Sequence, residues 1–470
     1  MQMRQRAARL LQVRETPGDV NLKELYGKTM NIALPATLEG ALLSIIGSVD
    51  TMMVGTLGSA AIAAVGLTSQ PRMIMLILAQ ALCVGVTAIV ARRKGADDQQ
   101  GARQCLKQSL VVVTGLGVLI AVLGWLLAEP LMLLAGANEE TLALSTDYFR
   151  VISLGFLSNC WSLCICAALR AIGHARVTMA VNLTANGVNV VLNYLLIGGN
   201  LGFPAMGVHG AAVATTIGTI TASLLAFSAV LKPHHYLYLA PREKVRFDRE
   251  TLQGLTKVGS SSIAESVFLR VGFLMVAKMI AGLGTEAFAA YQIVQQVASL
   301  SFTLGDGIGS AGAAMVGQSL GAGRRDVAMT YARIARRVSL FASLALMAVI
   351  CLCRRSIAGL FTSDAQIIAD VSLAFIVVLV GIIPQNGRVV YSGCLRGAGD
   401  VKFVAMISLL SVMILRPALT YLFCYPLREV YPAMRFAVTG QWLAFVIDAF
   451  VRDFLLAARV KKGKWLNVKL

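Results

Sequence analysis

The chain has 470 residues, of which 57% are hydrophobic and only 14% are charged, and its formal net charge is +18. Soluble domains carry about 25% charged residues, so this composition excludes an ordinary soluble enzyme and indicates a membrane protein. The chain also lacks the strict apolar/polar alternation of an outer-membrane barrel. We therefore expect an all-α integral membrane protein.

Apolar runs long enough to cross a bilayer, about 20 residues each, follow one another along the whole chain. We predict twelve transmembrane helices from these runs. They lie at about 30–55, 62–91, 106–128, 146–169, 176–198, 207–231, 254–281, 286–317, 332–353, 367–395, 401–424 and 434–458.

Lysine and arginine are concentrated in alternate connecting segments. If the N-terminus is cytoplasmic, the cytoplasmic segments hold most of the 42 Lys and Arg residues. The outer loops hold only Arg354, Arg355 and Arg428, with Arg435 at the outer end of the last span. This distribution follows the positive-inside rule and predicts that both termini are cytoplasmic. The excess of Lys and Arg is then explained by membrane topology and by contact with anionic lipid headgroups. We expect a multi-pass protein of the plasma (inner) membrane that does not bind nucleic acid.

The two halves of the sequence are similar to each other. One fixed, ungapped offset places identical residues on one another: Glu39 on Glu265, Leu57-Gly58 on Leu283-Gly284, Gln70 on Gln296, Gly155 on Gly381, and Leu169-Arg170 on Leu395-Arg396. Because each half contains six spans, both have the same orientation in the membrane, which defines parallel repeats. Two parallel six-helix repeats, an N-lobe and a C-lobe around a central cavity, are the plan of a transporter.

This repeat gives the expected domain boundaries. They are a cytoplasmic N-terminal segment at 1–29, the N-lobe at 30–231, a cytoplasmic interlobe linker at 232–253, the C-lobe at 254–458 and a basic cytoplasmic tail at 459–470.

Asp50 is the carboxylate in the middle of the first apolar run, and it has no acidic counterpart in the second repeat, where Val276 stands. A charged Asp at the centre of a membrane helix costs roughly 3 kcal/mol, so such a residue usually has a function. The fifth span carries an asparagine stripe with helical spacing: Asn182, Asn186, Asn189 and Asn193. An Asp near amide and hydroxyl oxygens can bind a proton or a hard cation such as sodium. Interhelical hydrogen bonding alone is the alternative explanation of the stripe.

Glu39 and Glu265 are acids inside predicted spans, at equivalent depth in the two lobes, and the repeat duplicates them. They suit a cavity shared by the two lobes, where a cationic substrate would find an opposite charge. Pairing with an arginine would instead make these acids structural, and the candidate partners are Arg72, Arg270 and Arg388. Pro35, four residues before Glu39, is expected to bend the first helix as a hinge.

Other chemistry is not indicated. No phosphate-binding Gly-x-x-x-x-Gly-Lys-Ser/Thr motif occurs, so an ATP-driven pump is not supported. The cysteines and histidines show no metal-ligand spacing, and no nucleophile is paired with a base. We expect neither an enzyme nor a cofactor.

Several motifs resemble those of the multidrug and toxic compound extrusion (MATE) family of secondary transporters, in order and over nearly the whole chain. They include Val49-Asp50-Thr51-Met52-Met53-Val54-Gly55, Val191-Leu192-Asn193-Tyr194, Leu283-Gly284-Thr285 and Gly393-Cys394-Leu395-Arg396-Gly397-Ala398-Gly399-Asp400. The resemblance implies a twelve-helix antiporter that exports organic cations or other amphiphilic toxic compounds in exchange for sodium or protons. Such a protein would work by alternating access.

The resemblance also implies roles for individual residues. Asp50 would couple the ion, with Asn189 and Asn193 beside it and Thr215 as a helper hydroxyl; if sodium is the coupling ion, Asp50 is its ligand. Many relatives carry Asp at the position of Asn193. Relatives with a second-lobe ion site place acids where this chain has Leu269 and Gln385, which favours coupling through the first lobe.

The predicted substrate contacts are Glu39, Glu265, Gln292 and Gln385, and the predicted partners are a small organic cation or amphiphile and the lipid bilayer. We expect a monomer. The alternative within the same broad fold is a flippase for lipids or lipid-linked oligosaccharides. It would need basic residues such as Arg72, Arg270 and Arg388 in its cavity.

Overall fold

The computed structural model describes residues 21–233, 235–240, 245–359, 365–430 and 436–468. Most of the predicted N-terminal segment, part of the predicted linker at 241–244 and Arg435 lie outside the described residues. Within the described ranges the regular elements are helices, and no strand is found.

Within the described ranges, the first half of the chain forms eight α-helices. They are α1 (Leu22–Gly55), α2 (Ser59–Gly95), α3 (Gln99–Leu126), α4 (Ala128–Leu134), α5 (Glu139–Leu154), α6 (Phe156–Ala171), α7 (Ala175–Gly198) and α8 (Gly207–Val230). The described part of the second half forms another eight. They are α9 (Arg249–Ala281), α10 (Thr285–Gly321), α11 (Arg325–Gly359), α12 (Ala365–Gly397), α13 (Val401–Ser408), α14 (Arg416–Cys424), α15 (Pro426–Val430) and α16 (Phe436–Lys461).

These helices fit the predicted twelve spans. Among the described residues, eight helices are long and apolar enough to cross a bilayer, or nine when α5 and α6 are counted as one bent span. The other three predicted spans correspond to α9, α10 and α16, which are long enough to cross a bilayer, with 33, 37 and 26 residues. The all-helical fold class is confirmed.

The fourth span is broken at Gly155, where α5 and α6 meet at 49°. A Cβ atom at Gly155 would lie 2.7 Å from the Thr219 hydroxyl of α8, so only glycine allows this approach. The Thr216 hydroxyl donates to the Val151 carbonyl at 3.0 Å, and that of Thr219 donates to the Gly155 carbonyl at 3.5 Å. Threonine side chains thus satisfy carbonyl groups at the break, as lipid surroundings require.

The eleventh span contains a π-helical segment, Leu409–Leu415, between α13 and α14. Its backbone passes close to Gly272 of α9, where a Cβ would collide with the Val412 carbonyl. Gly272 is therefore the residue that admits the widened turn.

The backbone also shows the repeat. Gly58 and Gly284 occupy equivalent positions and have left-handed φ angles of 102° and 118°. Gly173 and Gly399 are equivalent in the same way, with φ angles of 97° and 85°. Positive φ strains residues that carry a Cβ, so these matches in the sequence mark the same turn in each half.

The chain divides into two compact units. One is Leu38–Ser260, and the other is Ser261–Leu470 together with the described residues up to Thr37. The first division falls inside α1, two residues after the buried Pro35. Thr37 packs closely against Gly307 of α10, which lies in the same unit. A Cβ at Gly307 would clash with the backbone and side chain of Thr37. A bend at Pro35 stays a prediction, as do the domain boundaries.

The described part of the predicted linker belongs to the unit Leu38–Ser260 and is hydrogen-bonded to α2 and α3. Arg103 donates to the carbonyls of Tyr236 at 3.0 Å and His235 at 3.3 Å, and the Lys94 ammonium lies 3.8 Å from the centre of the Tyr236 ring. Arg93 donates to Thr251 at 2.6 Å. This segment is fixed along α2 and α3.

Candidate functional site

A cavity of about 490 Å³ lies within the unit Leu38–Ser260. The helices α1, α2, α5, α6, α7 and α8 contribute to its wall. Its polar lining residues include Asp50, Arg72, Tyr148, Asn182, Asn186, Asn189, Asn193 and Thr215. The structure therefore brings together all four residues of the predicted ion-coupling set, which come from three helices.

Asp50 receives a hydrogen bond from Asn193, with 2.9 Å between Oδ1 and Nδ2. The same amide is 3.4 Å from Asn189 Oδ1, and the Asn189 amide is 3.4 Å from the Thr215 hydroxyl. Asn189 and Asn193 are 5% and 2% exposed. The four side chains form one chain of contacts, whose last two links are long.

Asn193 Oδ1 is buried and has no hydrogen-bond partner among the described residues. A buried acceptor without a donor is costly, and a hard cation or a protonated group would satisfy it. The Asp50 carboxylate, the Asn193 amide oxygen and the Thr215 hydroxyl are oxygen ligands of the kind that sodium accepts. The described residues contain no group of three or more His, Cys, Asp or Glu side chains that could hold a metal. Of the three candidate cation ligands, Asp50, Asn193 and Thr215, Asp50 alone is a carboxylate.

Arg72 supplies positive charge to this cavity. It lines the wall of the cavity together with Asp50 and Tyr148. An ion that neutralises Asp50 would therefore also release Arg72 from its attraction to that carboxylate.

Glu39 is 7% exposed and is ion-paired within the same unit. Its carboxylate accepts from Asn182 Nδ2 at 2.5 Å and from the Thr178 hydroxyl at 3.3 Å, and it lies 3.6 Å from Arg170 Nη1. The asparagine stripe therefore serves two acids. Asn182 binds Glu39, Asn189 and Asn193 lead to Asp50, and Asn186 donates to the Asn182 carbonyl of its own helix at 2.8 Å.

Glu265 is the repeat equivalent of Glu39, and it has an equivalent partner in the other unit. Arg396 donates to it from Nη2 at 2.6 Å and from Nε at 3.3 Å, and Ser408 lies at 3.5 Å. Arg396 is equivalent to Arg170, and Ser408 is equivalent to Asn182. The arginines suggested as partners from the sequence were Arg72, Arg270 and Arg388, and the structure uses Arg170 and Arg396 instead. The matched Leu-Arg pairs of the repeat were the signal that could have found them.

The remaining predicted contacts lie in different surroundings. Gln292 is exposed. Gln385 is 5% exposed and accepts a hydrogen bond from Arg388 Nε at 2.8 Å. Their roles toward substrate stay predictions.

Two six-span repeats with a polar cavity inside the membrane-spanning helices define the class of integral membrane transporters. The family model MatE matches residues 35–195 and matches again at 262–422, once in each repeat. The chain belongs to this family. The predicted membership of the MATE family is confirmed, and so is the expectation of a transporter that is not an enzyme.

Similar proteins cover nearly the whole chain. The chain is 26% identical to the probable multidrug resistance protein NorM of Thermotoga maritima, over 94% of this chain and 93% of the relative. It is 25% identical to the multidrug resistance protein MdtK of Edwardsiella ictaluri, over 93% and 94%. A solved outward-facing structure of a multidrug resistance MATE transporter superposes with a TM-score of 0.84 at 23% identity, over 93% and 97% of the two chains.

Proposed function

We propose that this protein is a multidrug efflux antiporter, in which sodium or a proton binds at Asp50 and drives export of an organic cation or other amphiphile. The observation that carries the proposal is the Asp50–Asn193 pair in the cavity, with Asn193 Oδ1 left as a free buried acceptor. The relatives named as multidrug resistance proteins support the substrate class.

Coupling requires that the ion favours one conformation, because a ligand with equal affinity for two states shifts neither. Asp50 lies on α1, and this helix is the one that the two compact units divide between them. A cation at Asp50 changes the charge balance between α1 and Arg72 of α2. This change would reach the other unit through the part of α1 that contains Pro35, the proposed hinge.

Glu39, Glu265, Gln292 and Gln385 are the proposed substrate contacts. Each acid already has an arginine partner, so a cationic substrate would have to compete with Arg170 or Arg396. Apolar area would then supply most of the substrate affinity, which suits a polyspecific transporter. We further propose that the protein acts as a monomer in the inner membrane, with both termini cytoplasmic.

The second candidate is a lipid flippase of the same fold. One observation favours it, because Arg72 and Arg170 both line the cavity. Their charges are opposed there by Asp50 and Glu39, so the cavity of this unit does not present a purely basic surface to a pyrophosphate.

The test uses purified full-length protein in liposomes that are loaded with a cationic dye such as ethidium. A sodium gradient and a proton gradient are imposed separately, and dye efflux is followed by fluorescence. We expect one of the gradients to drive efflux and Asp50→Asn to abolish it. Asp147→Asn is the matched control, because Asp147 is 51% exposed and binds His209 outside the cavity lining.

Gradient-driven efflux that survives Asp50→Asn unchanged would remove the coupling role of Asp50. Movement of a fluorescent lipid, with no efflux of the dye under either gradient, would favour the flippase.

A further inference from the structure

A second buried polar cluster lies in the unit that contains Ser261–Leu470. Its centre is Asp448, which is fully buried. Arg416 Nε donates to Asp448 Oδ2 at 3.0 Å, Arg452 Nη2 donates to it at 2.6 Å, and Ser411 also donates to this carboxylate. Arg388 is buried on α12, which packs against α16, the helix that carries Asp448 and Arg452.

Positive charge exceeds negative charge in this cluster. Arg388, Arg416 and Arg452 are 8%, 2% and 1% exposed, and a single carboxylate, Asp448, is bonded among them. The neighbouring acids among the described residues are engaged or exposed. Glu265 pairs with Arg396, Asp453 pairs with Arg336 at 2.7 Å, and Asp306 is exposed. Buried arginines without enough counter-charge are unfavourable in a membrane.

The cluster also has unused donors. Arg452 Nε and Nη1 are buried and have no hydrogen-bond partner among the described residues. The bond described for Arg388 leaves from Nε, toward Gln385. Arg416 stacks on Phe273 and Phe445, at 5.4 Å and 5.1 Å from the ring centres, which holds its guanidinium in place. Buried, unsatisfied donors of this kind call for an acceptor.

The position of the cluster in the repeat supplies independent support. The cavity of the unit Leu38–Ser260 is lined by Asn159, Ser162, Ala185 and Ala222 among others. The offset that places Glu39 on Glu265 places these four residues on Gln385, Arg388, Ser411 and Asp448. Arg388 and Asp448 of the cluster therefore stand at positions equivalent to two lining residues of that cavity, Ser162 and Ala222, which carry no charge.

Local backbone structure points the same way. Ser411 lies in the π-helical segment Leu409–Leu415, and Arg416 follows it directly. π-helical turns occur frequently at functional sites, where they re-aim side chains. Here both residues are aimed at Asp448.

We propose that Arg388, Arg416 and Arg452 form a buried anion site in the C-terminal repeat. The site takes a small anionic group, which is either free chloride or an acidic group carried by a substrate. Guanidinium groups donate strong, charge-assisted hydrogen bonds to both kinds of ligand. This inference goes beyond the efflux of cations proposed above and does not depend on Asp50.

The experiment measures the thermal unfolding midpoint of the full-length protein in detergent. Sodium chloride is compared with sodium gluconate, a much larger anion, at equal ionic strength. We expect chloride to raise Tm above its value in gluconate. In Arg452→Gln and in Arg388→Gln, the chloride concentration needed for this rise should increase about tenfold, because each removes a charge-assisted donor.

Two further variants separate anion binding from a structural role. Arg459→Gln is the matched control. Arg459 lies on α16, as Arg452 does, but it pairs with Asp400 at 2.8 Å. It should keep the chloride response. Asp448→Asn removes the internal competitor, so it should respond at lower chloride concentrations, whereas a purely structural cluster would only become less stable.

The source of the anion is tested with carboxyfluorescein as a second probe, by fluorescence anisotropy. Competition between this dye and chloride would assign the site to an acidic group of a substrate, and a response to chloride alone would assign it to the free ion. No response to either probe in the wild-type protein would overturn the proposal. An unchanged chloride response in Arg388→Gln would also overturn it. If Arg452→Gln does not fold, the result for Arg388→Gln alone tests the proposal. Asp50→Asn should leave the anion response intact even if it abolishes dye efflux.

Discussion

Glu39 and Arg170 lie 3.6 Å apart, and their repeat equivalents Glu265 and Arg396 lie 2.6 Å apart. Each pair joins helices that are distant in the sequence, and each has a polar third member, Asn182 or Ser408. The repeat therefore preserves the whole ion pair, with both its acid and its arginine.

Breaking one of these pairs should destabilise the protein strongly. Glu39→Gln leaves Arg170 without its charge partner in a largely buried position, which we expect to cost about 3 kcal/mol. Glu39→Gln combined with Arg170→Gln should recover part of this loss, because neither charge is then left alone. A double-mutant cycle on thermal unfolding measures the coupling. Additive effects of the two single changes would show that the pair contributes nothing as a unit.

The asparagine stripe offers a matched pair of changes. Asn193→Ala removes the hydrogen bond to Asp50 and the free amide oxygen, so we expect the affinity for the coupling ion to fall about tenfold. Asn186→Ala is the control, since its amide binds only the Asn182 carbonyl in the described contacts, and it should leave ion affinity nearly unchanged. The ion dependence of dye efflux gives both values. Equal effects of the two changes would contradict a specific role for Asn193.

The bend in the fourth span depends on Gly155. Gly155→Ala places a methyl group against the Thr219 hydroxyl, and such overpacking costs about 1–3 kcal/mol. Gly187→Ala on α7 is the control, because no atom lies within 4 Å of its added Cβ. There the better helix propensity of alanine should stabilise by up to about 1 kcal/mol. Thermal unfolding of both variants checks the opposite signs.

Asp248 caps the start of α9 and gives a pH-dependent prediction outside the membrane. Hydrogen bonds from the Thr251 hydroxyl and backbone amide lower the pKa of Asp248. The stability that this carboxylate adds is therefore complete above the ordinary aspartate pKa of about 3.9, and it is lost as the pH falls through the lower pKa of the folded state.

Asp248→Ala should cost about 1 kcal/mol at neutral pH, the usual value of an N-cap. Asp248→Asn, which keeps an acceptor, should cost less. Unfolding midpoints of wild type and Asp248→Ala that fail to converge on acidification would show that the carboxylate is not responsible.

The sequence by itself determined the features that depend on local pattern. Runs of apolar residues determined the twelve spans, because the thickness of the bilayer sets their length. The fixed offset revealed the repeat, and glycines such as Gly58 and Gly284 kept their turn in both halves. Helical spacing put Asn189 and Asn193 on one face of α7, and the family motif associated them with Asp50.

Only the tertiary structure decided which side chains meet. Helical periodicity says which face a residue lies on, but not which distant helix lies opposite. For this reason the partners of Glu39 and Glu265 were not among the arginines first considered. The bend at Gly155 depends on Thr219 of another helix, and the surplus of arginine around Asp448 arises from three separate helices. Burial gives these contacts a large effect on stability, because a charge shielded from water needs a counter-charge among the side chains that the fold places beside it.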